Sequence, residues 1–358
     1  MRGLIIKEKT SIFSRQDKHL IVIMLFKYTF ILAIVLVSCS KRTDLNPACS
    51  TDELLTSFLT DDGIEVFIYN NGELYASSGE TCEFQFQYFD PQELENAYQI
   101  NNDGRFLVSG SDLFPVKNDY SDDFESIPVF NNMIVQSLTD THLFWTSFTL
   151  QSPSVPNVAD YNALRACILD GSCTFIDNKI ELAPDPVNST NSTLKFTSVA
   201  PTSSMVTAKA SLSSTLNYFV KDMDVWFQAE FYIESGQPFS LVDFESSYFE
   251  SSPGPRVVIR NGKLEIENKF GTKANYSNTG NTLVPSNQWF NVKVHLKYSD
   301  TTNGIIELWQ DGIKLINAVG ITLPLPIAVQ NTLEVGISAT PETCIMYMDN
   351  LRISESQF

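Results

Sequence analysis

The stretch Gln288–Gly312 constrains the fold more than any other part of the chain, because it predicts two strands joined by a polar turn. Apolar and polar residues alternate over Asn291–Tyr298, which is typical of a half-buried strand. Ser299–Gly304 contains Asp, Asn and Gly and predicts the turn, and Ile305–Gln310 predicts the returning strand. The stretch therefore predicts an antiparallel hairpin with one face in a hydrophobic core.

Similar strand patterns recur along the chain, separated by turn signals every ~8–12 residues. Asn261-Gly262 and Asp311-Gly312 are two-residue hairpin turn signals. No internal repeat and no long helical pattern interrupts the series. The series predicts an antiparallel β-sandwich. Its predicted strands are 142–150, Lys179–Leu182, Thr193–Ser198, Met205–Ala210, Asp224–Glu234, Phe239–Glu245, Arg256–Arg260, Lys263–Lys269, Trp289–Tyr298, Gly304–Gln310, Lys314–Asn317, Thr332–Ser338 and Cys344–Ser354.

The predicted sandwich occupies residues 119–358, and a small acidic β unit over residues 51–118 precedes it. The acidic and polar stretch Asn118–Asp123 predicts the linker between them. Whether the small unit is a separate module or an extension packed on the sandwich stays open. Gln151–Asp177 predicts a long loop insertion over one end of the sandwich, and inserted loops often carry function.

The N-terminal segment has the order of an export signal. Lys27 precedes the apolar run Tyr28–Val37, which is followed by Ser38-Cys39. This order resembles a bacterial lipoprotein signal, in which Cys39 would be lipidated and become the mature N-terminus. The run is shorter than the ~20 apolar residues that a membrane-spanning helix needs. We expect a signal segment over 1–39, a tether over 40–50, and a lipid anchor in the bacterial cell envelope, at the outer membrane.

Export to an oxidising compartment favours disulfides among the remaining cysteines. Cys167 and Cys173 flank a turn that contains Gly, and they are predicted to pair. Cys49 and Cys82 form a second candidate pair, although connectivity cannot be deduced from sequence alone. Cys344 is then the odd cysteine, and it is predicted to be a buried free thiol in a strand.

The charge balance narrows the range of partners. A net charge of −18 makes nucleic acid and anionic lipid poor partners, since both need a basic protein surface. The chain has three His and no Cys-x-x-Cys motif, so a zinc site is not predicted. Acidity of this degree is typical of a soluble surface protein.

Several segments of the predicted sandwich resemble a known group of folds. The Gln288–Gly312 hairpin resembles the core hairpins of concanavalin A-like (laminin-G-like) jelly rolls, and Met346–Ser354 resembles the last strand of that group. Over residues 124–358 the chain is similar to the jelly-roll polysaccharide lyases related to heparin lyase. The segments that carry this similarity are Asp224–Phe227, Phe239–Glu245, Trp289–Lys297 and Gly304–Gly312. The resemblance implies an all-β, concanavalin A-like antiparallel jelly-roll sandwich that engages polysaccharide.

Such lyases act by β-elimination, and the resemblance implies roles for polar strand residues. A polar or basic side chain neutralises the uronate carboxylate, a His or Tyr takes the proton at C5, and a Tyr, His or Lys protonates the leaving oxygen. The candidate catalytic residues are His295, Tyr232 and Arg260. The candidate substrate-binding residues, chosen because such groups stack on sugars or pair with carboxylates, are Trp226, Gln228, Glu230, Arg256, Lys269, Lys293 and Lys297.

Other interpretations stay open. Gln288-Trp289 is followed by Phe290, so the Gln-Trp-His element of heparin lyases is absent, and a non-catalytic glycan-binding or adhesion module is the main alternative. Asp243 and Glu245 share one strand face, and glycosidases use such a pair of carboxylates. Hydrolysis is therefore a further alternative, ranked below elimination. Laminin-G-like sandwiches commonly bind calcium, and the resemblance implies that Asp349 lies near such an ion.

Overall fold

The computed structural model describes residues 49–358, apart from 60–62, 79–80, 127–128, 138–139, 141, 204, 206 and 272–273. The predicted signal segment and Cys39 lie outside the described residues. Two large antiparallel sheets form a sandwich, which confirms the all-β prediction. Two smaller sheets precede them in the chain.

The first large sheet contains the longest strands. Its members are β8 (Tyr120–Asp122), β10 (Lys179–Pro184), β11 (Ser192–Ser198), β13 (Asp224–Ser235), β18 (Trp289–Lys297), β19 (Gly304–Gln310), β20 (Ile313–Gly320) and β22 (Cys344–Ser354). Their order is β10-β11-β22-β13-β18-β19-β20, and β8 pairs with β22. The turn between β19 and β20 has positive φ at both Asp311 (50°) and Gly312 (77°), as a two-residue hairpin requires.

The second large sheet has seven shorter strands. They are β9 (Ser147–Thr149), β12 (Ala208–Ser214), β14 (Ser240–Glu245), β15 (Pro255–Arg260), β16 (Lys263–Asn268), β17 (Asn275–Tyr276) and β21 (Thr332–Thr340). Their order is β17-β16-β15-β14-β21-β12-β9. The predicted turn at Asn261-Gly262 joins β15 to β16, with φ of 51° and 72°.

The core lies between the inner faces of the two large sheets. Apolar residues that alternate along β18 and β13 are fully buried there, as the alternation predicts. Phe227 of β13 meets Phe244 of β14 with ring centroids 5.9 Å apart. Each fully buried side chain of this kind contributes about 1.5–3 kcal/mol. Because the inner faces are packed together, the outer faces of the two sheets point in opposite directions.

The predicted loop insertion Gln151–Asp177 contains a helix, Val158–Leu169. The Asn157 side chain caps its N-terminus by accepting from the backbone N–H of Asp160 at 3.0 Å. Only Leu164 and Ile168 of this helix are buried. Two apolar contacts leave too weak a 3.6-residue pattern to recognise in sequence, so the segment predicted as a loop insertion contains a helix that the sequence did not indicate. The predicted disulfide between Cys167 and Cys173 is confirmed at the end of this helix.

Other predicted boundaries also change. The predicted linker Asn118–Asp123 contains β8, which pairs with the end of β22. The predicted strand 142–150 shortens to β9, and the predicted strand Met205–Ala210 moves forward to β12. A 3₁₀ helix, Phe130–Met133, lies between β8 and β9. The three strands β8, β9 and β12 depend on long-range pairing, which local sequence patterns do not report.

The small N-terminal unit packs on the sandwich. Its elements are β1 (Leu54–Leu59), β2 (Glu65–Tyr69), β3 (Glu73–Ser78), β4 (Thr81–Gln87), a short helix (Pro91–Asn96), β5 (Tyr98–Asn101), β6 (Gly104–Ser109) and β7 (Asp112–Pro115). Strands β1–β4 form one sheet and β5–β7 another. Val66, Ile68 and Leu74 belong to the same buried cluster as the sandwich core. Phe89 forms a β-bridge with Phe249 of the sandwich.

Cysteine pairing follows the predictions. Cys49 and Cys82 form a disulfide that ties the start of the described chain to β4. Cys344 is a buried free thiol in β22. Burial, together with the nearby charge of Glu342, raises the pKa of this thiol to about 12.

Candidate functional site

One residue from each strand of the seven-stranded sheet contributes to a continuous row across its outer face. Strand registers place them opposite one another in the order Ser147, Ser213, Glu334, Asp243, Arg256, Glu267 and Asn275. Val242 and Phe244, the neighbours of Asp243 in β14, are buried in the core. Because strand side chains alternate, the row points away from the core. We call these seven residues the charged row.

Further charged side chains flank the charged row, and together with it they form what we call the charged face. They are Lys209, Glu245, Arg260, Glu265 and Lys269. The charged face therefore holds five carboxylates and four cations, each cation in an ion pair with at least one carboxylate. Opposite charges on adjacent strands stabilise a sheet by cross-strand pairing.

Asp243 lies at the centre of the charged row with only 3% of its surface exposed. Its Oδ2 accepts from Ser240 Oγ at 2.6 Å and from Ser338 Oγ at 2.5 Å. Lys269 Nζ lies 3.3 Å from Oδ1. Burial by itself would raise the pKa of Asp243, but the charges of Lys269, Arg256 and Lys209 outweigh it and hold the pKa well below its ordinary value. Asp243 is therefore a permanent negative charge at neutral pH.

Glu334 lies opposite Asp243 on β21, and its environment has the reverse effect. It is 6% exposed, accepts a hydrogen bond from Ser211, and has Lys209 Nζ 3.4 Å from Oε1. Burial raises the pKa of Glu334, Lys209 partly offsets this, and the charges of Glu245 and Asp243 raise it further. The pKa values of these two neighbouring carboxylates are therefore displaced in opposite directions. In such a pair one carboxylate stays charged while the other can exchange a proton.

The arginines of the charged face are held side by side. Arg256 pairs with Glu267, and Arg260 pairs with both Glu267 and Glu265. Their guanidinium carbons lie 5.0 Å and 5.3 Å from the ring centre of Phe239. A ring face at this distance attracts and orients guanidinium groups. An anionic ligand would therefore meet two preoriented arginines, in competition with the carboxylates already bound to them.

The structure divides the predicted site residues between the two outer faces. Arg256, Arg260 and Lys269 lie on the charged face. The other predicted residues lie on the outer face of the eight-stranded sheet, on β13 and β18, and they are Trp226, Gln228, Glu230, Tyr232, Lys293, His295 and Lys297. The predicted catalytic and substrate-binding residues therefore do not share one face, since the sandwich core separates the two groups.

His295 has both ring nitrogens engaged. Nδ1 lies 2.7 Å from Glu307 Oε2, and Nε2 lies 2.8 Å from Asp224 Oδ1. The ring also stacks on Trp226 at 3.8 Å and is 7% exposed as a residue. Both ring nitrogens are therefore occupied by carboxylate partners, so this geometry argues against the predicted role of His295 as the base.

The aromatic side chains around His295 are also occupied. Trp226 is 9% exposed and contacts His295, and Lys293 Nζ lies 5.0 Å from its ring centre. Tyr232 is 8% exposed, and its ring lies 5.6 Å from Trp289. Sugar stacking requires a ring face open to solvent, which Trp226 and Tyr232 do not present. The predicted binding role of Trp226 and the predicted catalytic role of Tyr232 receive no support from this packing.

Asp349, the predicted calcium ligand, is 3% exposed and lies in the middle of β22. It accepts from Asn191 Nδ2 at 2.8 Å and from the Asn350 backbone N–H at 2.7 Å. Burial, with smaller contributions from the charges of Glu230 and Glu125, raises the pKa of Asp349 to about 6. Among the described residues, no group of three or more His, Cys, Asp or Glu side chains could hold a metal ion. A buried carboxylate with acidic neighbours suits a hard cation, and the metal role of Asp349 stays a prediction.

Comparison with known protein families identifies the sandwich. A family model described as polysaccharide lyase matches residues 157–352, more than half of the 358-residue chain. The chain belongs to the polysaccharide lyase family. The match covers six of the seven strands of the charged face, β12, β14, β15, β16, β17 and β21. No curated protein matches the sequence.

Solved structures with low similarity include other lyases. An endo-β-1,4-glucuronan lyase from the fungus Trichoderma reesei is 12% identical, with 51% of this chain and 88% of that chain covered and a TM-score of 0.40. A cellulose-induced protein, Cip1, is 15% identical, with 67% and 98% covered and a TM-score of 0.42. The alginate lyase Aly36B, solved with an alginate trisaccharide, is 9% identical, with 68% and 100% covered and a TM-score of 0.38.

The charged face differs from the lyase site that the sequence suggests. Across its seven strands, all within the described part of the chain, there is no His, and the one Tyr, Tyr276, points inward to touch Gly320 of the other large sheet. Sequence reasoning missed Glu334 and Lys209 altogether. It recognised Asp243 and Glu245 as two carboxylates on one face, but a single strand carries no signal of which strand lies beside it. Only the pairing of β14 with β21 brings Asp243 next to Glu334.

Proposed function

We propose that this protein binds an acidic polysaccharide on its charged face and cleaves the chain by β-elimination. Membership of the polysaccharide lyase family supports the reaction class. Four cations on one sheet face support an anionic substrate. The observation that carries the proposal is the charged row, in which Asp243 lies between Arg256 on one side and Glu334 on the other.

In this proposal Arg256 and Arg260 bind the carboxylate of the uronate ring. Guanidinium groups form bidentate hydrogen bonds with carboxylates, which orients the substrate and withdraws charge from C5. The substrate carboxylate takes the place of Glu267 as the partner of the two arginines. Lys269, held by Asp243 and Glu245, supplies additional positive charge next to the ring.

We assign the proton transfers to Glu334 and Lys209. The raised pKa of Glu334 makes it a stronger base than an ordinary carboxylate. Burial lowers the pKa of Lys209, but the charges of Glu334, Glu245 and Asp243 outweigh it and keep the ammonium protonated. Lys209 therefore carries a proton at neutral pH, and we assign to it the protonation of the leaving glycosidic oxygen. His295 and Tyr232 remain candidates only for a site on the opposite face.

A lyase screen tests this proposal. Residues 40–358 would be purified and incubated with uronate-containing and sulfated polysaccharides, with and without calcium. Elimination creates an unsaturated uronate end, which is followed by its ultraviolet absorbance. We expect the absorbance to rise with at least one uronate polysaccharide.

Matched variants locate the site. Glu334→Gln keeps the shape of the side chain and removes the base, so we expect kcat to fall by a factor of about 100 or more with little change in KM. Arg256→Lys keeps the charge but loses the bidentate geometry, so KM should rise. His295→Gln serves as the control on the opposite face and should leave kcat unchanged. Loss of activity in His295→Gln with retention in Glu334→Gln would refute the assignment.

A non-catalytic glycan-binding protein is the second candidate function. The observations that favour it are the complete ion pairing of the cations and the lack of an outward His or Tyr on the strands of the charged face. In that case the ultraviolet absorbance stays flat with every polysaccharide tested. In affinity electrophoresis one acidic polysaccharide then retards the wild-type protein but not Arg256→Lys.

We also propose that the mature protein is anchored to the bacterial cell envelope, at the outer membrane, through a lipid on Cys39. The support is the sequence order of Lys27, an apolar run and Ser38-Cys39. No helix of the described residues is long and apolar enough to cross a membrane. Labelled fatty acid should be incorporated into the wild-type protein and not into Cys39→Ser. Equal labelling of the two would exclude this anchor.

A further inference from the structure

The N-terminal unit carries a row of aromatic side chains on one face of its four-stranded sheet. Register places Phe67 of β2 opposite Tyr75 of β3, and Tyr75 opposite Phe84 of β4. The neighbouring residues Ile68 and Leu74 belong to the buried core shared with the sandwich. By strand alternation the three aromatic residues therefore lie on the opposite face, away from that core. We call Phe67, Tyr75 and Phe84 the aromatic row.

Exposure increases along the aromatic row. Phe67 is 2% exposed, Tyr75 is half-buried and Phe84 is 53% exposed. The Tyr75 and Phe84 rings lie 5.7 Å apart at 75°, and Tyr69 lies 5.6 Å from Tyr75. Edge-to-face contacts of this kind stabilise ring positions. The outer end of the row is therefore a supported aromatic surface open to solvent.

Polar groups frame this surface in a hydrogen-bonded network. The Tyr75 hydroxyl donates to Glu73 Oε2 at 2.8 Å. Asn71 Nδ2 donates to the same oxygen at 2.9 Å and to Asp52 Oδ2 at 2.8 Å. Ser50 Oγ also donates to Asp52 Oδ2, at 3.0 Å. Carboxylate and amide groups are thereby fixed beside the rings, where they can accept hydrogen bonds from hydroxyl groups of a ligand.

The negative charge of the N-terminal unit favours neutral ligands over acidic ones. Residues 49–104 contain no Lys and no Arg. An acidic glycan would meet only carboxylates there and would be repelled, whereas neutral sugars present hydroxyl donors and apolar C–H faces. Binding sites for small polar ligands combine aromatic surface with a few placed polar groups. The charged face differs in carrying four cations among its five carboxylates.

We propose that the aromatic row is a second glycan-binding site, specific for neutral polysaccharide. Phe84 and Tyr75 contact the apolar faces of sugar rings, and Asp52 and Glu73 accept hydrogen bonds from sugar hydroxyls. The site goes beyond the proposed reaction on the charged face and does not depend on it. Its function would be to hold the protein on a neutral glycan while the charged face engages an acidic one.

Affinity electrophoresis of residues 40–358 tests this inference. The gels would contain soluble neutral polysaccharides: a β-1,4-glucan derivative without charge, a xylan and a mannan. We expect at least one to retard the wild-type protein. Phe84→Ala should raise the dissociation constant roughly tenfold or more, as removal of a central aromatic contact does. Tyr75→Phe should weaken binding less than Tyr75→Ala, because it keeps the ring.

Controls separate this site from folding and from the charged face. Ile100→Ala removes a comparably exposed apolar side chain, 61% against 53% for Phe84, from the other small sheet and should leave retardation unchanged. Phe84→Ala should unfold in one cooperative transition a few degrees below the wild type at most, since about half of the removed ring is exposed. Arg256→Lys should keep neutral-glycan binding, so a failure of the proposed lyase function leaves this result unaffected.

Three results would overturn the inference. One is wild-type protein that migrates unretarded in every neutral gel. Another is Phe84→Ala that is retarded as strongly as the wild type. The third is binding of a basic protein, such as lysozyme, that requires Phe84 and is not accompanied by binding of any neutral glycan. That result would make the aromatic row a protein-binding surface.

Discussion

Asp243 is the residue whose loss should most clearly test the electrostatics of the charged face. Asp243→Asn keeps the size and shape of the side chain and removes its charge. The wild-type carboxylate accepts from Ser240 and Ser338 and faces Lys269 at 3.3 Å. Breaking a buried ion pair costs about 3–5 kcal/mol. Because Lys269 keeps Glu245 as a partner, we expect a smaller loss of unfolding free energy, about 2–3 kcal/mol.

The pH dependence of this loss follows from the pKa of Asp243. Its pKa is lower in the folded protein than in the unfolded chain, where it is about 3.9. The stabilisation is therefore fully present above pH ~3.9 and decreases as the pH falls through the folded-state pKa. The gap between wild type and Asp243→Asn should be widest at neutral pH and should narrow below pH ~3.9.

Urea unfolding and thermal unfolding at pH 7 and pH 3 measure this effect. At pH 7 the variant should melt about 5–10 °C below the wild type, as expected for a domain of this size. Asp103→Asn, the same change at an exposed turn residue, is the matched control and should leave the melting temperature within ~1 °C. A variant as stable as the wild type at pH 7 would refute the view that the Asp243 charge is stabilising. A gap that widens at pH 3 would refute the assigned direction of the pKa shift.

Four further predictions follow from particular contacts. His295→Gln should lower the melting temperature by several degrees, since His295 binds two carboxylates and stacks on Trp226; an unchanged melting curve would contradict this. Gly336→Ala should lower the free energy of unfolding in urea by roughly 2–4 kcal/mol. The reason is that φ at Gly336 is 111° and a Cβ there would lie 2.5 Å from the Phe196 ring. An unchanged free energy of unfolding would show that β21 can shift. The calcium role that the resemblance implies for Asp349 predicts that calcium raises the melting temperature of the wild type and not of Asp349→Asn; no rise in the wild type, or equal rises in both proteins, would exclude this ligand. Cys344 should react with iodoacetamide only after unfolding, and mass spectrometry of labelled native protein checks this.

The fold was largely predictable because its signals are local. Alternation along Asn291–Tyr298 reports which residues are buried, since successive strand side chains point to opposite faces. Asn261-Gly262 and Asp311-Gly312 report hairpins, since both central residues of such turns need positive φ. The helix Val158–Leu169 escaped prediction, because it buries only two side chains and has almost no periodic pattern.

The candidate site was only partly predictable. Arg256, Arg260 and Lys269 were recognised as polar strand residues and do lie together on the charged face. His295 was chosen for its chemistry, but its two carboxylate partners come from β13 and β19 and leave it no free nitrogen. A sequence shows that a His is present; whether its nitrogens are free depends on residues distant in the chain.

The sequence by itself determined where most of the strands lie, where they turn and that the fold is an all-β sandwich. Those properties follow from periodicities of two residues, from turn residues and from segment order. Only the tertiary structure decided which outer face each strand contributes to. Ser338 donates to Asp243 from 95 residues away, and such pairings depend on the register and order of strands within each sheet. That order places the arginines on one side of the core and His295 on the other, so it decides which residues can act on one substrate.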